Sequence, residues 1–330
     1  EIVKEIGSDY AQVAADKETT EAYIDTGSFI FNGLVSGSIR GGVSSNRITA
    51  IAGETSTGKT YFALAVVKNF LDNNPDAYAL YFDTESAINK ELLESRGIDT
   101  KRIAIVEVVT IEDFRGKALK AIDMYLKTPI EDRKPCMFVL DSLGMLSTEK
   151  EIRDALEDKL VRDMTKSQLV KGAFRMLTLK LGQANVPLIV TNHTYDVIGA
   201  YVPTKEMGGG SGLKYAASTI IYLSKSKEKV GTEVVGNIIK AKTVKSRLSK
   251  ENKQVEIRLF YDERGLDKYY GLLDLAEKYE IVKKVGNRYE IDGKKVYAKE
   301  VYTNPEKYFT EEIMEQLEQA AKSEFSYGGT

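Results

Sequence analysis

Gly53-Glu54-Thr55-Ser56-Thr57-Gly58-Lys59-Thr60 matches G-x-x-x-x-G-K-[ST] at every fixed position, with an apolar run before it and a helical pattern after it. The spacing suits a phosphate. Gly53 and Gly58 let the backbone wrap so that successive N–H groups point inward. Lys59 can reach terminal phosphates, the Thr60 hydroxyl can ligate Mg²⁺, and the helix N-terminus adds partial positive charge. Nucleotide binding is the reading, against a glycine-rich turn with an exposed lysine.

Two more apolar runs end in carboxylates. One ends in Leu140-Asp141-Ser142, where an aspartate that organises a metal belongs. The other ends in Asp83-Thr84-Glu85. Hydrolysis needs a carboxylate to orient and polarise water. Pattern alone does not separate Glu85 from Asp83, since either could cap the following helix. His193, the only histidine, follows a further apolar run. Read by itself, such a histidine is a structural residue.

The elements that must position these groups show in the periodicity. Short apolar runs cover 47–52, 78–82, 103–109, 136–140, 187–191, 219–223, 234–239 and 255–260, with helical patterns such as 60–71 and 111–126 among the early ones. Apolar strands alternating with helices predict an α/β fold with a mostly parallel sheet covered on both faces, and the late runs predict an antiparallel edge. Residues 2–16 carry a short amphipathic pattern, and 1–33 reads as an N-terminal arm for oligomerisation. A core follows over 34–265. Residues 266–330 read as a small C-terminal α/β unit, in which Asp292-Gly293 supplies a hairpin turn.

Composition removes other classes. The chain has 330 residues with 42% hydrophobic and 29% charged, a globular profile. No apolar run approaches the roughly 18 residues of a membrane helix. The single Cys136 excludes an internal disulfide, and one histidine excludes multi-histidine metal sites. The first residue is Glu1 rather than methionine, which predicts a processed or shortened chain. Net charge is −2, yet residues 225–258 hold ten Lys and Arg against four Glu. That stretch is either an anion site or a solvated charged face.

Two further segments are unusual. Residues 147–165 are a charged insertion with Lys150, Arg153, Lys159 and Arg162, balanced by Glu149, Glu151, Asp154, Glu157, Asp158 and Asp163; Thr148 and Glu151 fit a capping box. On composition this is a solvated helix. Residues 194–207 place Tyr195, Val197, Ile198, Tyr201 and Val202 in a loop with Gly199 and Pro203. Such side chains must pack on a protein or wedge between bases, with Lys205 and the amides of Gly209 and Gly210 meeting phosphates.

Together these motifs resemble the RecA recombinase family, most of all the UvsX-type recombinases of large tailed phages. The likeness runs from about Thr26 to near the C-terminus. It rests on Thr26-Gly27-Ser28, the phosphate loop, Asp83-Thr84-Glu85, Leu140-Asp141-Ser142-Leu143, Thr191-Asn192-His193, Gly208-Gly209-Gly210-Ser211-Gly212, Lys240-Ala241-Lys242 and Tyr269-Tyr270-Gly271. The resemblance implies a RecA-like ATPase core and Glu85 as catalytic base, with Lys59 and His193, the γ-phosphate sensor, completing the catalytic set. It implies nucleotide contacts from residues 53–60, Asp141 and Ser142, and from Lys240 and Lys242 reaching the ATP of an adjacent protomer. Mg²⁺ would sit at Thr60 and Asp141. DNA would meet Arg162, Val197, Ile198 and Lys205 on two loops, 147–165 and 194–207, together with Arg175 on a helix and Gly209 and Gly210 just after the second loop.

The implied activity is ATP hydrolysis to ADP and phosphate by a DNA-dependent ATPase. It would form helical filaments on single-stranded DNA and exchange strands with duplex DNA in recombination and repair. A loading mediator and a single-strand-binding protein are implied partners, with no membrane, in the cytoplasm of a bacterial cell. The alternatives are a hexameric helicase or motor on the same fold, and a filament mediator that does not hydrolyse ATP.

Overall fold

The computed structural model describes residues 22–158, 164–196, 205–208, 211–230 and 233–328. The amphipathic segment 2–16 therefore lies outside the described residues. The strands are β1 Tyr23–Ile24, β2 Val43–Ser44, β3 Ile48–Gly53, β4 Tyr78–Asp83, β5 Ile103–Glu107, β6 Cys136–Asp141, β7 Leu188–Asp196, β8 Lys205–Met207, β9 Thr219–Val230, β10 Glu233–Ser246, β11 Gln254–Phe260, β12 Lys283–Val285, β13 Arg288–Ile291 and β14 Lys294–Tyr297. The helices that matter below are α1 Phe29–Ser36, α2 Lys59–Asn73, α3 Lys90–Ser95, α4 Ile111–Lys127, α5 Glu149–Leu156, α6 Lys166–Ala184, α7 Ser211–Ala216, α8 Leu272–Lys278, α9 Ala298–Thr303, α10 Pro305–Tyr308 and α11 Glu311–Phe325.

The main sheet runs β11-β10-β9-β3-β7-β6-β4-β5, with β8 paired to β7. Pairing is parallel from β9 through β5 and antiparallel from β9 to β11. This is the α/β sheet with an antiparallel edge that the apolar runs predict. Alternate residues serve opposite faces. Ile51, Tyr81, Val139, Ile189 and Ile221 join a core with α1, α2 and α11. Ile48, Ala50, Phe82, Phe138 and Val190 join a second core with α4 and α6. β7, β9 and β10 run longer than the apolar runs, and their added residues satisfy their backbone by pairing.

The boundary expected after residue 33 falls inside α1. Ser28 caps that helix, and Ile30, Phe31 and Leu34 are buried in the chain's own core. Residues 22–33 therefore pack as core, since an apolar helix face is most stable where it is covered. The segment after residue 266 has its own β12-β13-β14 sheet. Asp292 and Gly293 take φ of 49° and 74° in its turn, the positive values that a tight hairpin needs. Its apolar residues nonetheless join the larger core, as Leu272, Ile291 and Leu317 do.

Glu324 on α11 fastens this segment to the sheet. It pairs with Lys253 (2.8 Å) and Lys278 (2.7 Å) and accepts from the Tyr279 hydroxyl (2.9 Å). Burial alone would raise its carboxyl, but these donors outweigh burial and hold it at about 2. The stability it contributes is present above the ordinary value of 4.5 and is lost as pH falls toward about 2. Glu324→Gln is expected to cost about 1.5–3 kcal/mol at neutral pH. In urea denaturation the difference from wild type should shrink between pH 4.5 and 2; a gap that stays constant there would refute the assignment.

Candidate nucleotide site and nucleic-acid interface

β3, β4, β6 and β7 end on one edge of the sheet, the place where open α/β sheets hold ligands. Their register sets Gly53 beside His193 and Asp83 beside Asp141. Residues 53–60 then turn from β3 into α2. The two fixed glycines have different causes. Gly58 takes φ 88° at the start of α2. A Cβ on Gly53 would lie 2.8 Å from both the Leu223 carbonyl oxygen and Thr57 Oγ1.

Lys59 is buried, and its ammonium donates to the carbonyls of Gly53 (3.0 Å) and Glu54 (2.9 Å). Burial lowers its pKa, against the opposing pull of Asp141 and Glu85. Lys225, arriving from β9, donates to the Ser56 carbonyl on the same loop.

Asp141 is 6% exposed. Its Oδ2 accepts from the Thr60 and Tyr81 hydroxyls, both at 2.7 Å, and its Oδ1 accepts from the Thr191 hydroxyl. Burial, and then Asp141 itself, push the Tyr81 phenol well above its ordinary value, so it stays a donor. A hydroxyl beside a carboxylate is an oxygen donor set that fits Mg²⁺, which takes few protein ligands and completes its shell with phosphate oxygens and water. Among the described residues no group of three or more His, Cys, Asp or Glu gathers for a metal.

The structure separates the two carboxylates that pattern could not. Asp83 is buried and accepts from the backbone N–H groups of Glu85 and Ile88, each at 3.0 Å. It shapes the turn. Glu85 instead accepts from the Ser142 hydroxyl (3.1 Å) and lies 3.8 Å from His193 Nε2, with its side chain 41% exposed. Thr84 links the two strand ends, donating to the Asp141 carbonyl (3.1 Å) and accepting from the Ser142 N–H (2.8 Å).

Past His193 the chain does not enter an irregular loop at once. Thr194, Tyr195 and Asp196 pair antiparallel with Met207, Glu206 and Lys205. The ends of the 194–207 segment are therefore a ladder, which corrects the expectation of a loop throughout. Pairing satisfies backbone groups that a loop would leave to water. Lys205 pairs with Glu54 of the phosphate loop and lies 3.9 Å from Asp196. Val197, Ile198, Gly209 and Gly210 lie outside the described residues, as does Arg162.

Thr148 and Glu151 form the capping box at α5 that the sequence predicts. Arg175 is exposed on α6, one turn beyond Lys171, whose ammonium lies 5.7 Å from the Tyr215 ring. Lys240 and Lys242 are exposed on β10 and alternate with buried Ile239 and Ala241. Lys240 faces Glu256 at 3.8 Å.

Sequence reading missed Tyr81, Lys225 and an aromatic pair, Tyr61 and Tyr261, with ring centroids 5.8 Å apart. The Arg96 guanidinium sits 4.0 Å over the Tyr61 ring. Tyr81 left a faint signal, a hydroxyl inside an apolar run two residues before Asp83. Lys225 left none, because its reach depends on the register that sets Leu223 beside Gly53.

Burial, and next the Lys59 ammonium, lower the His193 pKa below its ordinary 6.5, against the pull of Glu85. The imidazole is then neutral at pH 7. As pH falls below 6.5 the unfolded chain takes up a proton that the folded chain refuses, so this group's contribution to stability drops. The chain has one histidine, so proton NMR should show a single imidazole C2–H titration, with its midpoint below 6.5. A midpoint above 6.5 would mean that the Glu85 contact dominates.

A family model of the RecA N-terminal domain matches residues 1–267. The recombination and repair protein of Enterobacteria phage T4 is 34% identical over 258 residues, covering 78% of this chain and 64% of that protein. The RecA protein of Bifidobacterium breve is 30% identical over 298 residues, covering 88% of this chain and 71% of its own length. The RecA protein of Deinococcus radiodurans is 29% identical over 259 residues, covering 78% and 68%. The match to the phage protein thus stops short of two thirds of that protein's length. The phosphate loop, Asp141, Glu85 and His193 all fall inside the matched span, and the chain belongs to the RecA family.

Proposed function

We propose that the chain is an ATP-dependent recombinase that forms helical filaments on single-stranded DNA and exchanges strands with duplex DNA. The observation that carries this reading is the placing of His193. It stands within 3.8 Å of Glu85 at the phosphate site and is the last residue before the hairpin ladder begins. One residue thus touches the chemistry on one side and the DNA-facing segment on the other. Membership of a family that includes a recombination and repair protein supports it.

In the hydrolytic step Glu85 takes a proton from a water. The water oxygen bonds to the γ-phosphorus as the bond to the β–γ bridging oxygen breaks, giving ADP and phosphate. Lys59, released from the Gly53 and Glu54 carbonyls, places its charge on the phosphates, and the inward N–H groups of residues 53–60 hold them. Ser142 keeps Glu85 in place. A Mg²⁺ held by Thr60 and Asp141 would supply charge neutralisation. His193 senses the γ-phosphate as a neutral donor, so that its state reaches the hairpin. Lys240 and Lys242 meet the nucleotide of a neighbouring protomer, Lys240 exchanging Glu256 for phosphate. Residues 1–21 serve as the arm between protomers.

Arg162, Arg175 and Lys205 meet DNA phosphates and make binding fall with salt, while Val197 or Ile198 inserts between bases. A loading mediator and a single-strand-binding protein would prepare the DNA, in the bacterial cytoplasm. Among the described residues no helix is long and apolar enough to cross a membrane.

Electron microscopy with ATP and single-stranded DNA should show helical filaments. Closed rings would favour a hexameric motor instead. Glu85→Gln should depress ATP hydrolysis by about 10²–10⁴-fold while nucleotide binding persists. If Asp83→Asn gives that profile and Glu85→Gln does not, the assignment is reversed.

A further inference from the structure

Lys205 was expected to meet DNA, yet its ammonium contacts the Glu54 carboxylate of the phosphate loop. Glu54 is tied to the loop's chemistry at its other end. Its carbonyl accepts from the Lys59 ammonium at 2.9 Å and from Thr57 Oγ1 at 2.9 Å. A continuous line of contacts therefore runs from Lys59, through the backbone and carboxylate of Glu54, to Lys205 on β8. It is separate from His193, which lies within β7 just before the hairpin ladder begins. The two strands of the hairpin are held at the phosphate site by different residues.

We propose that Glu54 is a positioning residue that restrains Lys205, so that the carboxylate of the phosphate loop and a DNA phosphate compete for one ammonium. The inference rests on the recombinase reading and deepens it.

The electrostatics suit a contact that must exchange. The side chains of Lys205 and Glu54 are 40% and 56% exposed, so the pair is weak and screened by water. A phosphate of single-stranded DNA offers the same charge in a geometry that also recruits neighbouring contacts. Asp196, at 3.9 Å across the ladder, is an alternative partner that keeps the lysine near the hairpin when Glu54 lets go. Nucleotide enters through Lys59. When that ammonium turns to phosphate it leaves the Glu54 carbonyl, and residue 54 keeps only the Thr57 donors. The restraint on Lys205 is then looser in the nucleoside triphosphate state. A glutamate at the second position of the loop thus makes DNA affinity depend on what the loop holds.

The test is a double-mutant cycle with wild type, Glu54→Gln, Lys205→Gln and the double variant. Affinity for labelled oligo-dT is read by fluorescence anisotropy at fixed salt, with ADP and with a non-hydrolysable ATP analogue. With ADP, Glu54→Gln should tighten binding about three- to five-fold, and it should do nothing once Lys205 is glutamine. With the analogue the same substitution should have less effect. Equal tightening with and without Lys205 would show only a general loss of negative charge, and would overturn the inference. So would no tightening at all. A wild-type protein that binds oligo-dT with neither nucleotide would remove the recombinase reading and this inference together.

Discussion

A carboxylate with almost no access to water has to be compensated by donors, and Asp141 is compensated by three hydroxyls from three elements. Tyr81 comes from β4, Thr60 from α2 and Thr191 from β7. The result is a clamp across the strand ends, because each donor fixes its own element relative to β6. Hydroxyls suit this better than a lysine would. They satisfy the oxygens without cancelling the charge, so the site keeps a negative centre for a cation beside a loop built for anions. Ser142 and Thr84 extend the clamp to Glu85. The positions of the phosphate loop, Glu85 and His193 all follow from how these strand ends are held.

How much of this could be read in advance depended on whether a residue's task is local. The phosphate loop is local: spacing and glycine positions follow from one stretch of backbone. The capping box at Thr148 and Glu151, and the turn at Asp292 and Gly293, are local too, and both took the conformations their residue types imply. The choice between Asp83 and Glu85 was not legible from pattern, because it turns on which carboxylate the backbone N–H groups of the turn consume. Family resemblance pointed to Glu85, and it is Asp83 that accepts from the N–H groups of the turn. The boundary after residue 33 misled because a Gly- and Ser-rich stretch follows it. α1 is buried by contacts with α11, nearly three hundred residues away, as where Gly33 meets the Phe325 ring.

The basic stretch 225–258 shows the same division most clearly. From composition it was an anion site or a solvated face. In the fold it is the antiparallel edge β9-β10-β11, and several of its lysines do neither. Lys225 donates to the Ser56 carbonyl, and Lys250 to the carbonyl of Ser323 at 2.8 Å. Lys245 donates to the carbonyls of Lys214, Tyr215 and Ala217 at 2.7–3.2 Å, at the C-terminal end of α7. Burial lowers its pKa, the cost of taking the charge out of water. A lysine can do this because its long stem carries three donors to groups that helix ends and tight turns leave unsatisfied. The edge of the sheet thus grips the phosphate loop, α7 and α11 by their carbonyls. Lys240 and Lys242 remain exposed on β10, the strand that also carries Lys245.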